Sequence, residues 1–366
     1  MITFTFLNGT QIILNKFKTY KYFYHIKAYF LDKSGYCYCN FKYNDQDIND
    51  IEKIIEYDNK EIIVIKINLY THKLKDWVND NKDKLEFSNL SRIPCAVKVL
   101  QENIDKINWN YLSENPNAIC LLEKNFDKIV WYRLSSNPNA IHLLEKNKDK
   151  IDWHLLSSNP NAIRILETKQ NKIDWFRLSK NPNAINILEN NLDKINWEQL
   201  SLNTNAIHLL ENNKDKIDWY YLSRNPNAIH LLKENKEKID WYDLSSNLNA
   251  IKILEENKEK INWDSLSSNP NAIKLLEENK EKINWDWLSI NPKAIYLLEN
   301  NIHKINWYYL MKNKNAIHIL ENNLDKYMSL NLLSLHPNAI NILEKNINKI
   351  NWFWLSQNES IFELIN

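Results

Sequence analysis

Residues 129–150 read IVWYRLSSNPNAIHLLEKNKDK, and residues 261–282 read INWDSLSSNPNAIKLLEENKEK. Two distant segments that agree at most positions are copies of one unit, and self-similarity at a fixed period outranks any local propensity argument. Tryptophan sets the period: Trp109, Trp131, Trp153, Trp175, Trp197, Trp219, Trp241, Trp263, Trp285 and Trp307 are each 22 residues apart. The unit is approximately I-[DN]-W-x-x-L-S-x-N-P-N-A-I-x-L-L-E-x-N-x-D-K. A degenerate first copy begins at Leu85, with Phe87 in the tryptophan position. Twelve complete units and a truncated thirteenth then occupy residues 85–366.

Each unit parses into two short helices. In the copy from Ile107, Asn108 is a good N-cap for a helix from Trp109 to about Glu114, with Ile107 and Leu112 as a hydrophobic staple. Asn115 precedes Pro116, which disfavours helical geometry at Asn115 and suits the first position of a helix, so a second helix is expected from Pro116 to about Lys124. Ala118, Leu121, Leu122 and Asn125 follow the helical stripe, Ile119 widens it, and Asn117, Cys120, Glu123 and Lys124 are expected to face away. The chain has 2 glycines, both before residue 36, so Asn125 is the candidate for a left-handed helix end. Helices this short do not persist alone. Stacking of apolar faces, unit on unit, has to supply the stability, as in an α-solenoid. The ten tryptophans from Trp109 to Trp307 are expected in that core, buried between units.

The phrase LSSNPNAIHLLEKNKDKIDW, from Leu134 to Trp153, resembles the 22-residue helical repeats of uncharacterised proteins of giant DNA viruses related to the mimiviruses. The lean of the composition to Asn, Lys and Ile agrees with an AT-rich genome. The resemblance covers the repeats and implies a helical repeat protein of viral origin, placed in the host-cell cytoplasm or the virion. It carries over no catalytic activity and no ligand.

Residues 1–70 lie outside the repeats and read as a small α+β domain, β-β-β-β-α-β. MITFTF and TQIIL flank Asn8-Gly9, the strongest short hairpin signal. A second hairpin is expected between KYFYHIKAYFL and YCYCNFKY, then a helix in DQDINDIEKIIEYDN and a strand in EIIVIKINL. Residues 71–84 read as a helical linker or half repeat. In the copy after Lys326 one residue is inserted and Leu330 replaces tryptophan, so the last two units are expected to be the loosest.

Composition excludes more than it nominates. Lys and Arg number 47 against 46 Asp and Glu, a formal charge of +1 that supplies no global field for nucleic acid or an acidic membrane. The 4 cysteines, Cys37, Cys39, Cys95 and Cys120, show neither a disulfide framework nor a zinc-finger spacing. A reducing compartment follows, and no signal peptide or membrane span is seen in the sequence. No phosphate-cradling loop, zinc-protease motif or nucleophile elbow occurs, so no catalytic residue, cofactor or metal is expected. The lysines from Lys106 to Lys304 form a regular column, but acidic neighbours such as Asp105, Asp127 and Glu259 largely cancel it, and a solvated, salt-laced edge is the expectation. His142, His208, His230 and His318 read as surface histidines.

The informative positions are those that vary. The two residues after each tryptophan are often aromatic, and Tyr220, Tyr221, Trp287, Tyr308 and Tyr309 are the partner-binding candidates, because aromatic side chains are enriched in interface hot spots. Packing against neighbouring copies is the competing reading. The expected function is a non-catalytic interaction scaffold that binds a partner protein or peptide. A structural component of a viral particle or factory is the alternative, and single-stranded nucleic-acid binding ranks third.

Overall fold

The computed structural model describes residues 2–6, 11–14, 38–43, 46–47, 61–67, 72–324 and 330–364. It contains two compact units, Met1–Ile173 with Ile361–Asn366, and Asp174–Ser360. The 22-residue repeat of short helices runs through both.

In the first unit, β1 (Ile2–Phe6), β2 (Gln11–Leu14), β3 (Tyr38–Tyr43), β4 (Gln46–Asp47) and β5 (Glu61–Ile67) form a sheet of order β2-β1-β5-β3-β4. β1 and β2 pair antiparallel as the expected hairpin, with Thr5 opposite Gln11, one residue off the register that a two-residue Asn8-Gly9 turn would set, and residues 7–10 themselves lie outside the described residues. β5 runs parallel to β1 and antiparallel to β3. The helix expected from Asp45 does not begin there: Gln46 and Asp47 pair with Tyr43 and Lys42 as β4. The remainder of that helix, the strand expected at 21–31 and Cys37 all lie outside the described residues.

Residues 72–84 form the expected half repeat with an addition. A helix at Asp76–Asn79 and a 3-10 turn at Lys82–Lys84 match the second half of a unit, and Asn81 Nδ2 donates to Trp77 O as its counterparts do in later units. The addition is β6 (His72–Leu74), which pairs antiparallel with β7 (Phe362–Leu364), where the truncated thirteenth unit gives a strand in place of its second helix.

A full unit contains three short helical elements and not two. In the copy from Ile107 these are Trp109–Glu114, Ile119–Lys124 and a 3-10 turn at Phe126–Lys128. Asn108 caps the first as expected, its Oδ1 accepting from Tyr111 N at 3.3 Å. The second begins at Ile119, later than Pro116, because Asn115 Oδ1 accepts from Asn117 N at 3.0 Å and holds residues 115–118 in a turn. Asn125 is not left-handed; its φ is −125° and ψ 52°. It ends the helix through its side chain, Nδ2 donating to Leu121 O at 2.8 Å. A side-chain amide thus satisfies a terminal carbonyl, the task a glycine-based end would otherwise perform.

The repeated Asn-Pro-Asn segment ties each unit to the one before it. Asn137 is buried, and its Nδ2 donates to Ser113 O and to Asn115 O, both at 3.0 Å, while its Oδ1 accepts from Asn139 N. In the second unit Asn203, Asn225, Asn247, Asn269, Asn291 and Asn313 bond in the same way. A second rung comes from the following asparagine, as with Asn249 Nδ2 to Pro226 O at 3.0 Å. A third comes from serine: Ser223 Oγ donates to Trp219 O and accepts from Asp240 N. These buried polar groups are fully paired, so they do not carry the desolvation cost of an orphan. Around them lies the apolar core, with Leu222, Ala228, Leu232 and their equivalents fully buried.

The ladder also explains its own exceptions. Ile93 stands where Asn115 stands one unit later and is buried. The rung therefore begins one unit later, where Asn115 Nδ2 donates to Ser91 O and Ile93 O. In the irregular copy, where residues 325–329 lie outside the described residues, His336 replaces asparagine. Its Nδ1 accepts from Asn338 N at 3.2 Å, which leaves the proton on Nε2, 3.1 Å from Asn313 O. A neutral imidazole thereby reproduces one donor and one acceptor of the amide it replaces.

Candidate partner-binding surface

The tryptophans do not lie in the core. All ten are half-buried, correcting the expectation for Trp109, Trp131, Trp153, Trp175, Trp197, Trp219, Trp241, Trp263, Trp285 and Trp307. Each begins a helix at the edge of the apolar layer, where one turn later a leucine such as Leu200 or Leu222 takes the fully buried position. The lysine column explains the rest. Lys216 Nζ lies 4.9 Å from the centre of the Trp197 ring, Lys238 4.8 Å from Trp219, Lys282 4.7 Å from Trp263 and Lys304 4.7 Å from Trp285. An ammonium over an indole face is attracted to the ring quadrupole. The salt-laced edge expected for this column is found at Lys128, which pairs with Asp127 at 3.3 Å, whereas the lysines named above cover rings. The signal was present in the sequence as a constant Trp-to-Lys spacing.

The partner-binding candidates all fall in the second unit. Tyr220, Trp287 and Tyr308 are 46%, 42% and 51% exposed, while Tyr221 and Tyr309 are half-buried. Tyr220 and Tyr221 meet edge to face at 5.1 Å, as do Tyr308 and Tyr309 at 5.4 Å. Trp287 and Tyr309, one unit apart, stack at 5.7 Å with planes 28° apart. Both competing readings therefore apply: one ring of each tyrosine pair packs on its neighbours, and the other reaches solvent. Lys312 also lies 4.4 Å from the Tyr308 ring.

Helix capping places carboxylates beside these rings. Asn284 Oδ1 accepts from Asp286 N and Trp287 N, and its Nδ2 donates to Asp264 Oδ1 at 2.8 Å. Asn306 repeats this with Tyr309 N and Asp286 Oδ1. Asp264 and Asp286 are exposed. Two residues escaped the sequence reading. Arg224 Nε donates to Asp243 Oδ1 at 2.8 Å, and its guanidinium lies 5.0 Å from the Tyr220 ring and donates to Tyr220 Oη. The bond to Asp243 is the main reason the Arg224 pKa is raised above its ordinary value. Asp243 occupies the same variable position as Tyr221 one frame earlier and Trp287 two frames later, and it is buried, which no single-residue pattern announces.

A second column lies on the other helix of each unit. His208, His230 and His318 each meet the glutamate of the preceding unit, Glu189, Glu211 and Glu299, at 2.5, 2.5 and 2.6 Å. They are exposed, as expected. In the first unit the same column is mixed: His142 is largely buried beside Glu123, Cys120, expected to face away, is buried, and the Arg164 side chain remains exposed 3.9 Å from Glu145. Among the described residues there is no group of three metal-ligating side chains, and no helix is long and apolar enough to cross a membrane.

Comparison with models of known protein families, with curated proteins and with solved structures gives no match to this chain.

Proposed function

We propose that the protein is a non-catalytic interaction scaffold that binds a partner protein or peptide along the aromatic column of its second unit, with the strand-bearing N-terminal region as an orienting α+β module. The observation that carries this reading is the Trp287–Tyr309 stack, half open to solvent and flanked by Asp264 and Asp286. Rigid rings with two adjacent carboxylates favour a partner that presents apolar and cationic side chains. The covered indole faces argue against base stacking along the tryptophan column, which supports the third rank of nucleic acid. The setting, an infected host cell or a virion, rests on the resemblance of the repeats alone.

The test is a variant carrying Tyr220→Ala, Trp287→Ala and Tyr308→Ala, compared with wild type for binding to an array of peptides and to purified candidate partners. Loss of binding with helical circular dichroism retained is the expected outcome. A folded variant with undiminished binding would move the surface to the column of Asn186, His208, His230 and Lys252.

A further inference from the structure

The pairing of β6 with β7 joins sequence positions that no repeat rule brings together. His72, Lys73 and Leu74 lie opposite Leu364, Glu363 and Phe362. Lys75 N donates to Ile361 O at 2.9 Å, and Lys73 Nζ and Lys75 Nζ lie 3.1 and 3.8 Å from Glu363. The two ion pairs are solvent-exposed and contribute little. A two-stranded ribbon is marginal by itself. What holds β7 is burial: Ile361 is fully buried and Phe362 is 7% exposed, while β6 packs on the helix Val97–Gln101 and the turn Pro94–Ala96.

The segment also departs from the repeat in its chemistry. After the ladder residue Asn358, the usual Pro-Asn-Ala-Ile-x-Leu-Leu-Glu is replaced by Glu359-Ser360-Ile361-Phe362-Glu363-Leu364-Ile365-Asn366. The proline is gone and Ile361 stands at the alanine position, and Phe362, Glu363 and Leu364, at the Ile-x-Leu positions, alternate in the manner of a strand. The anchor is therefore two apolar side chains, a three-residue ladder and one carboxylate between two lysines, the composition of a short peptide ligand added to a sheet edge.

We infer that the edge of β6, with Lys73 and Lys75 beside it, is a binding site for an extended apolar-acidic peptide, and that the chain's own Ile361–Leu364 occupies it as a releasable latch. Intramolecular attachment gives the latch a high effective concentration, so a free peptide binds only when the latch is absent or weakened.

The experiment uses a chain ending at Ser360 and a fluorescent synthetic peptide of residues 359–364. Saturable binding is expected, reduced at least tenfold in the peptide carrying Phe362→Asp and by a smaller factor, about threefold, in the chain carrying Lys73→Glu and Lys75→Glu. The full-length protein is expected to bind the peptide far more weakly, its site being filled. Equal binding of both peptides, no binding by a folded shortened chain, or equal binding by the full-length protein would each overturn the inference. If the shortened chain loses its helical signal, the full-length Phe362→Asp variant serves as the acceptor and is read by the same outcomes.

Discussion

Asn225 donates to Ser201 O at 3.0 Å and Asn203 O at 3.2 Å, and accepts from Asn227 N at 3.0 Å. Asn225→Ala takes the amide donor from the buried Ser201 O, while Asn203 O keeps Ala206 N at 3.1 Å and Asn227 N belongs to an exposed residue, and an orphaned buried group costs about 1–3 kcal/mol. A loss of about 1–3 kcal/mol in urea unfolding is expected, larger than for an exposed asparagine such as Asn212. His336 occupies the same rung with a titratable group. Burial pushes its pKa below the ordinary histidine value, with Lys314 lowering it further and the bond to Asn313 opposing. The neutral form is the one that folds. Its stabilisation is complete above the unfolded pKa of about 6.5 and is lost as pH falls from there through the folded value, because the unfolded chain then binds more protons. Hydrogen exchange is expected to show residues 336–358 opening first as pH drops, and His336→Asn is expected to remove that pH dependence. Uniform opening of all units on acidification would count against it.

At the scale of the element, three short helical pieces are each stabilised by contact with the next unit. The first is held at its start by a capping Asn or Asp and at its edge by an indole under a lysine. Because the indole is half-buried, Trp241→Ala is expected to cost about 2–4 kcal/mol, toward the low end for a large aromatic residue. Trp241→Phe is expected to be far milder, since Phe87 fills this position in the first copy with Lys106 4.8 Å from its ring. Lys260→Ala, which removes the ammonium 5.0 Å from the Trp241 ring, is expected to cost about 0.5–1 kcal/mol. Denaturant midpoints followed by far-ultraviolet circular dichroism check all three. A lysine substitution as costly as the tryptophan one would show that the column does more than cover rings. The first helix of each unit was legible from its cap and tryptophan. The late start of the second was not, because Asn-Pro fits a helix start and a turn equally well until the bond from Asn117 N to Asn115 is seen.

For the whole molecule, the near-zero charge and the character of the ion pairs make one expectation firm. Pairs such as Lys214–Glu234 and Lys236–Glu256 are exposed on both sides. Raising salt to about 1 M, where the Debye length is about 3 Å, is expected to leave the thermal midpoint nearly unchanged. A large downward shift would mean that surface charge, and not the ladder and apolar core, supports the fold. Binding at the Trp287 column is a separate matter: with Asp264 and Asp286 exposed beside the rings, capture of a cationic peptide is expected to weaken with salt.

The sequence alone determined the unit, its length, its caps and its apolar stripe, because these depend on residues within a few positions of one another and recur at a 22-residue period up to the insertion after Lys326. Only the tertiary structure decided which polar residues are buried, since Asn137 reaches carbonyls 22 and 24 residues back and only stacking creates those acceptors. It likewise decided that the tryptophans are edge residues beneath lysines, and that Asp243 is buried while Asp264 is exposed. The β6–β7 pairing lies furthest from any local rule. Two segments of three residues, separated by nearly the whole repeat region, carry too little propensity to announce a sheet, and the burial of Ile361 and Phe362 that accompanies their pairing belongs to the folded first unit.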